Sequence, residues 1–442
     1  MTAFPGPLIA WRPYTLRFVF LTQYFPPEIG APQTRLHSMA SLLLDWGHEV
    51  EVVTALPNYP RGKFFAGYGG RFYVRERHGG ITVHRVWIYP ALGGGVKRIL
   101  NYLSFAFTCL FGLLQCRRPD YLLVESPPLT SGIPAFLASR LWKIPFIFNV
   151  ADLWPDAIVD SGFLGEGSAV RALRRLESWC YEKAAKVNAV TDGIRSDLIS
   201  RKGVPGKKVL YLPNGADTAH FCPSPPDLEL KAALGLANKR IILWAGSLGQ
   251  AHGLEFVIQA ARLLADDPSI HFVFLGDGSS RKALEQLAAS LALTNVTFLE
   301  PVSLERLPRY LSIAECGLAS LRAAPTHEGA RPSKIFPVLA SGKPLVFIGA
   351  GECARLVRES RSGVVIAPEN AAAIAAEISA LLHDRDRLRE YGANGRSFVE
   401  RHFDWSALLR SWLAQLDASS PESLTSGAAI GKAAHNEAFK PL

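Results

Sequence analysis

Arg331, Ser333 and Lys334 bring three phosphate-binding side chains close together in the chain. They precede a short apolar run, residues 335–340, that reads as a helix and leads through Ser341-Gly342-Lys343-Pro344 into an apolar strand, residues 345–348. A helix N-terminus presents free N–H groups and partial positive charge. An arginine, a serine and a lysine at its mouth make a cradle suited to a diphosphate. Pro332 is placed near the first helical position, where a missing N–H costs little. The plainer alternative, from this segment alone, is an ordinary capped helix whose basic residues face water.

Other positions offer weaker chemistry. Asp152 lies just past an apolar strand, residues 146–150, and offers a carboxylate for catalysis, for acceptor binding or for capping the helix that follows. Gly276-Asp277-Gly278 follows another strand. It is either a turn or a place where the backbone approaches a nucleotide, because glycine permits close approach. Gly349-Ala350-Gly351-Glu352-Cys353-Ala354 matches G-x-G-x-x-A after a strand, and Glu369 lies 20 residues beyond Gly349, as a dinucleotide fingerprint requires. Its late position in the second half of the chain favours a glycine-rich turn. Asp384-Arg385-Asp386 has the D-x-D form of a metal site but stands between two helical patterns, where acidic residues serve helix dipoles. There is no Walker A sequence, no G-x-S-x-G elbow and no H-E-x-x-H among the eleven histidines, which argues against a zinc hydrolase.

These side chains need elements to hold them, and the chain reads as the same grammar used twice. Residues 16–22 form a strand, a Pro- and Gly-rich loop follows, residues 33–46 form a helix ended by Gly47-His48, and residues 49–56 return as a strand. That is the unit of a parallel sheet. Further strands are expected at 121–125, 146–150, 187–190 and 209–212. The pattern restarts after Pro213-Asn214-Gly215, with strands at 241–245, 271–275, 296–298, 316–319 and 345–348 and helices at 254–265, 281–290, 371–382 and 387–391. The expected architecture is α/β, with two doubly wound, Rossmann-like parallel-sheet domains facing across a cleft. The divisions expected are a leader at 1–15, an N-terminal domain at 16–215, a C-terminal domain at 216–398, a helix crossing back at 399–418 and a disordered tail at 419–442.

The 442 residues are 48% hydrophobic and 20% charged, enough apolar material for two large cores and too little charge for bulk disorder. The net charge of +9 is one-sided. Residues 1–218 hold 25 Lys and Arg against 16 Asp and Glu, while residues 219–442 hold 23 of each. The excess suits an anionic membrane surface, a nucleic acid or an anionic ligand. Six cysteines without paired metal-ligand spacing fit a reduced, cytoplasmic protein, and the N-terminus lacks the form of a secretory signal. Residues 103–114 are apolar but too few to span a bilayer. They form either a buried core helix or one that dips into a lipid interface.

Taken in order, Tyr24-Phe25-Pro26-Pro27-Glu28-Ile29-Gly30-Ala31-Pro32, Gly47-His48-Glu49-Val50, Asp152-Leu153-Trp154-Pro155, Pro213-Asn214-Gly215-Ala216-Asp217, Gly246-Ser247-Leu248-Gly249, Gly276-Asp277-Gly278, Pro332-Ser333-Lys334 and Ala340-Ser341-Gly342-Lys343-Pro344 resemble a family-four glycosyltransferase of GT-B fold. Within that family the chain is most similar to the colanic-acid and O-antigen enzymes of the L-N-acetylfucosamine transferase type. The resemblance covers residues 16–415. It implies transfer of a sugar from a nucleotide-sugar, with a UDP-sugar favoured, with retention of configuration and without a metal or cofactor. Arg331 and Lys334 would hold the departing diphosphate, with Ser333 and backbone N–H groups beside them. Gly30 and Ala31 would close on the donor from the other domain. Gly246, Ser247 and Leu248 would approach the phosphate and sugar, Gly276, Asp277 and Gly278 the base or ribose, and Asp152 the reacting centre.

Three positions depart from the family pattern. Gly329 and Pro337 stand where relatives carry two glutamates, with Glu328 one residue away, and Ala151 stands where an arginine is common. Pro337 would disturb a helix unless it lies in the first turn. The expected role is a cytoplasmic enzyme, peripheral on the inner membrane face, adding sugar to a lipid-linked saccharide acceptor of a surface polysaccharide, with no nucleic acid as partner. A nucleotide-sugar hydrolase or epimerase of the same fold, and a binding protein without catalysis, are the alternatives these departures leave open.

Overall fold

The computed structural model describes residues 15–60, 62–91, 95–160 and 165–417; residues 1–14 of the expected leader, residue 418 of the expected crossing helix and the expected tail at 419–442 lie outside them. The first domain runs β1 (Arg17–Leu21), α1 (Ala31–Asp45), β2 (Glu49–Ala55), β3 (Tyr73–His78), β4 (Ile81–Val86), α2 (Val96–Leu114), β5 (Tyr121–Ser126), α3 (Gly132–Trp142), β6 (Phe146–Val150), α4 (Asp156–Asp160), α5 (Ser168–Lys183), β7 (Lys186–Ala189), α6 (Asp192–Ser200) and β8 (Val209–Tyr211). The second runs α7 (Leu228–Ala233), β9 (Arg240–Ala245), α8 (Leu254–Leu263), β10 (Ile270–Leu275), α9 (Arg281–Ser290), β11 (Val296–Leu299), α10 (Leu307–Ile313), β12 (Ala314–Ser320), α11 (Ile335–Ala340), β13 (Leu345–Ile348), α12 (Gly351–Glu359), β14 (Gly363–Ile366), α13 (Ala371–His383) and α14 (Arg385–His402). A last helix, α15 (Trp405–Asp417), follows.

The first sheet has the order β3-β4-β2-β1-β5-β6-β7-β8 and the second β11-β10-β9-β12-β13-β14. In each, the direction of winding reverses once, between β1 and β5 and between β9 and β12. At such a switch point the helices leave to opposite faces and a crevice opens at the carboxyl ends of the strands. The strands buried on both faces hold continuous apolar runs, such as residues 18–21 of β1 and 272–275 of β10, as parallel strands covered by helices do.

Sequence reading differs from the structure in four places. Tyr73–His78 and Ile81–Val86 form an antiparallel hairpin, so the first sheet is mixed at one edge. Tyr73–His78 carries three consecutive charged residues, Arg75, Glu76 and Arg77, which hid it among loop residues. Residues 387–391 belong to the much longer α14, and β14 was missed. The helix after Lys334 begins only at Ile335, so Pro332 stands in the preceding turn instead of at the helix start. Pro337 is then the third residue of α11. N–H groups of a first turn have no helical partner in any case, so this proline fits without breaking the helix.

The chain crosses between domains twice, and the crossings lie side by side. The amide of Ala216 donates to the carbonyl of Phe403 at 2.9 Å, and that of Trp405 to Ala216 at 3.1 Å. Helix α15 then packs on the first domain: Trp405, Leu409, Trp412 and Leu416 share a core with Phe18, Phe20 and Leu36, and the Trp412 indole donates to Asn188 at 3.1 Å.

Helix α2 divides the two readings of residues 103–114 by face. Asn101, Phe105, Thr108, Cys109, Gly112 and Leu113 are buried. Val96, Ile99, Leu100, Leu103, Phe107, Phe111 and Leu114 are exposed, as are Ile133, Leu137 and Leu141 of the adjacent α3. The recurrence every three or four residues is that of a second apolar stripe on one helix. No helix among the described residues is long and apolar enough to cross a membrane.

Candidate active site

The carboxyl ends of β9 and β10 present two glycine loops in direct backbone contact. The Gly246 amide donates to Leu275 and the Leu248 amide to Asp277, both at 2.9 Å. A Cβ on Gly276 would overlap the carbonyl oxygen of Gly246, and one on Gly278 would overlap the backbone of Leu248. Both glycines have positive φ, 155° and 159°, where side chains are strained. Gly246, Ser247, Leu248, Gly276, Asp277 and Gly278 therefore form a single layered platform. Asp277 turns its carboxylate back on the Gly278 amide at 2.8 Å.

Lys334 enters this platform from the turn before α11. Its stem lies against Gly246, so that a Cβ there would be 3.1 Å from Lys334 Cε. Its Nζ sits 3.4 Å from the centre of the Trp244 ring. Although the stem keeps some exposure, the ammonium is buried and has no hydrogen-bond partner among the described residues. Burial pushes its pKa well below the usual lysine range. An ammonium in this state is costly unless an anion joins it. His252 packs edge-on to Trp244, with ring centres 4.9 Å apart. Its Nδ1 faces the Ser320 carbonyl at 3.0 Å, and a carbonyl only accepts, so Nδ1 carries the proton. Burial and then the Lys334 charge hold His252 well below the usual histidine range, so it stays neutral.

Across the cleft, Asp152 follows β6. The residue is exposed, and desolvation raises its carboxyl pKa to about 6, opposed by Arg35 and by His327 of the second domain. Arg35, on α1, is buried between Glu125, with which it forms an ion pair, and Asn214, whose Oδ1 it reaches at 3.1 Å. Glu125 also rises to about 6, by burial first. Gly30 and Ala31 open α1, and the same helix faces the second domain through His37, an electrostatic neighbour of Glu305.

The expected trio of Arg331, Ser333 and Lys334 is split. Ser333 stands in the turn beside Lys334. Arg331 turns away into the seam between the domains, where it is 7% exposed and bonded to Tyr211, Val190 and Glu352. The Glu328 side chain is exposed. Trp244, His252 and His327 escaped sequence reading: Trp244 looked like one more core residue of an apolar strand, and the histidines belong to no motif. The D-x-D residues have ordinary partners, Asp384 capping α14 by accepting from the Arg387 amide at 2.9 Å and Asp386 pairing with Arg389. A shallow depression that includes Asp384 and Asp386 shares no residue with the cleft. Glu369 lies 3.6 Å from Arg322.

Residues 30–215 match the glycosyl transferase 4-like domain and residues 227–398 match glycosyl transferases group 1. WcaI of Escherichia coli K12, named as a colanic acid biosynthesis glycosyl transferase, is 30% identical over 402 residues, covering 88% of this chain and 97% of the relative. A D-inositol 3-phosphate glycosyltransferase of Geodermatophilus obscurus is 28% identical, covering 79% and 78%. Among solved structures, Anabaena HepE in complex with UDP-glucose superposes with a TM-score of 0.70 at 17% identity over 91% of this chain and all of that one. WaaG, a glycosyltransferase involved in lipopolysaccharide biosynthesis, superposes at 0.65 with 16% identity over 89% and 98%.

Proposed function

The chain belongs to the family-four glycosyltransferases of GT-B fold, and we propose that it moves a sugar from a UDP-sugar to a lipid-linked saccharide at an anionic membrane surface, retaining configuration and using no metal. The observation that carries this reading is the buried ammonium of Lys334, without a hydrogen-bond partner among the described residues, on the platform of Gly246, Ser247, Leu248, Gly276, Asp277 and Gly278. A cation held at that point neutralises charge as it develops on a departing diphosphate, the work a metal performs elsewhere. Ser333 would stand beside it in the cradle, and Gly30 and Ala31 would approach the donor from the first domain. HepE, which shares the fold, is named for its UDP-glucose complex, and WcaI and WaaG for surface-polysaccharide synthesis. Donor screening by thermal shift tests the reading, because a ligand that binds only the folded state raises the melting temperature by mass action. Absence of a shift with every UDP-sugar would overturn the donor assignment.

Asp152 would face the reacting sugar and the acceptor hydroxyl. Its carboxyl, raised to about 6, is ionised at neutral pH and takes up its proton as the pH falls through that value. If the ionised form orients the acceptor, kcat declines below about pH 6 in the wild type. In Asp152→Asn, kcat is low throughout and loses that acid limb. A wild-type rate and profile in the variant would remove Asp152 from the site.

For the acceptor side, the exposed stripe of α2 and α3 has basic residues at its borders, Lys97, Arg117, Arg118, Arg140 and Lys143. An apolar helix face edged with cations suits the interface of an anionic bilayer, lying in its plane, and it would place the enzyme on the inner face of the cytoplasmic membrane. Sedimentation with phosphatidylglycerol vesicles at low salt is expected to bring down the wild type. Phe107→Asp/Phe111→Asp is expected to stay in solution with its turnover on a soluble acceptor intact. Wild-type protein that ignores the vesicles would remove the membrane from the proposal.

A further inference from the structure

The segment Glu328-Gly329-Ala330-Arg331-Pro332-Ser333-Lys334 has two differently anchored ends. Lys334 points into the cleft, while Gly329 and Arg331 are fastened to the first domain. Thr191 Oγ1 donates to the Gly329 carbonyl at 2.7 Å. The Arg331 guanidinium donates to the Tyr211 hydroxyl at 3.0 Å and the Val190 carbonyl at 3.4 Å. It lies over the Phe403 ring, 4.8 Å from its centre, at the crossing between domains.

The carboxylate that organises this seam is Glu352, 6% exposed. Its Oε1 lies 3.3 Å from Arg331 and accepts from the Asp192 amide at 3.4 Å; its Oε2 accepts from the Gly193 amide at 2.7 Å. Asp192 and Gly193 open α6, so a side chain of the second domain caps a helix of the first, where free N–H groups and the dipole favour a negative charge. One glycine of the run that resembled a dinucleotide fingerprint serves this contact. Gly351, at φ 73°, lets the Glu352 amide donate to the Glu328 carbonyl at 2.7 Å, and a Cβ there would overlap that backbone. Gly329, standing where the family pattern has a glutamate, meets Gly193 so closely that a Cβ on Gly193 would overlap Gly329 Cα.

We propose that Glu352 is a positioning residue for the transfer reaction: through Arg331 and the first turn of α6 it sets how the two domains meet, and so where the segment carries Lys334. A buried ion pair adds little net stability, but removing one partner strands the other charge. Its use here is to select one docking geometry out of several. This inference rests on the reading that Lys334 receives the diphosphate.

Glu352→Gln keeps the size and one acceptor but drops the charge facing Arg331. It is expected to lower kcat/KM for the donor by about tenfold or more, the scale of a small misplacement of reacting groups, and to speed amide exchange in residues 190–195 and 327–334. Glu352→Asp, which retains the charge on a shorter arm, should recover part of both. Gly193→Ala forces the seam apart without altering any charge and should reproduce both effects if Glu352→Gln proves too unstable to assay. Faster exchange in these variants with kcat/KM within twofold of wild type would overturn the proposal, and so would unchanged exchange. Lys334→Met separates the premise from the inference: if it remains fully active, the diphosphate reading is wrong, whereas loss of activity with unchanged exchange leaves the seam as the element under test.

Discussion

Lys334→Met is expected to lower kcat/KM for the donor by about 10²–10³-fold, the scale for removing one preorganised charge from a transition state, while the free enzyme melts no lower than wild type. The two halves of this result have one cause. In the free protein the Lys334 ammonium is buried over Trp244 and hydrogen-bonds to none of the described residues. Its desolvation is offset only in part by the ring, a contact worth about 0.5–2 kcal/mol. Methionine keeps the apolar stem against Gly246 and removes the cost of burying a charge. The same depressed lysine pKa gives a second readout. A diphosphate stabilises the charged form, so donor binding should raise the lysine pKa and take up a proton wherever the free amine is partly unprotonated. Calorimetry in buffers of different ionisation enthalpy measures that uptake, and the methionine variant should lack it. A kcat/KM within threefold of wild type would remove Lys334 from the donor site.

Gly276→Ala is expected to damage the donor platform as a whole. The added methyl would overlap the Gly246 carbonyl. Both groups belong to backbones tied by the Gly246-to-Leu275 and Leu248-to-Asp277 hydrogen bonds, so no flexible side chain can move aside. The positive φ adds strain. The loops must part, with a stability loss of about 1–3 kcal/mol, the range for strained backbone positions, and donor affinity should fall with it. Gly249→Ala is the matched control: its φ of −99° is ordinary, and a Cβ there would meet nothing nearer than Ser247 Oγ at 3.6 Å. Equal melting temperatures for the two variants would contradict the layered-loop account.

Repetition of strand, loop and helix was legible in the chain because parallel strands buried on both faces are apolar runs, as in residues 121–124 and Leu345–Ile348. The edge hairpin at Tyr73–His78 was not, since an edge strand half in solvent carries charge and no continuous apolar run. In the cleft, the glycine loops and Lys334 could be named from residue types, because close backbone approach needs glycine and a phosphate needs a cation. Arg331 could not be placed the same way. Arginine and lysine three positions apart look equivalent in sequence, and only the docking of α6 against α12 turns one guanidinium into a seam contact. Trp244 gave no signal either, because a tryptophan in a buried strand looks like core until a lysine is found over its ring.

The sequence by itself determined the family and the two-domain α/β architecture, and it nominated the glycines and cation that a phosphate site would require, since these depend on local geometry and burial. Tertiary structure alone decided which basic residue faces the cleft, that Pro337 falls harmlessly in a first turn, and that Gly351 of the fingerprint-like run belongs to an interdomain seam. Those outcomes depend on where distant backbones meet, and no spacing along the chain encodes that directly.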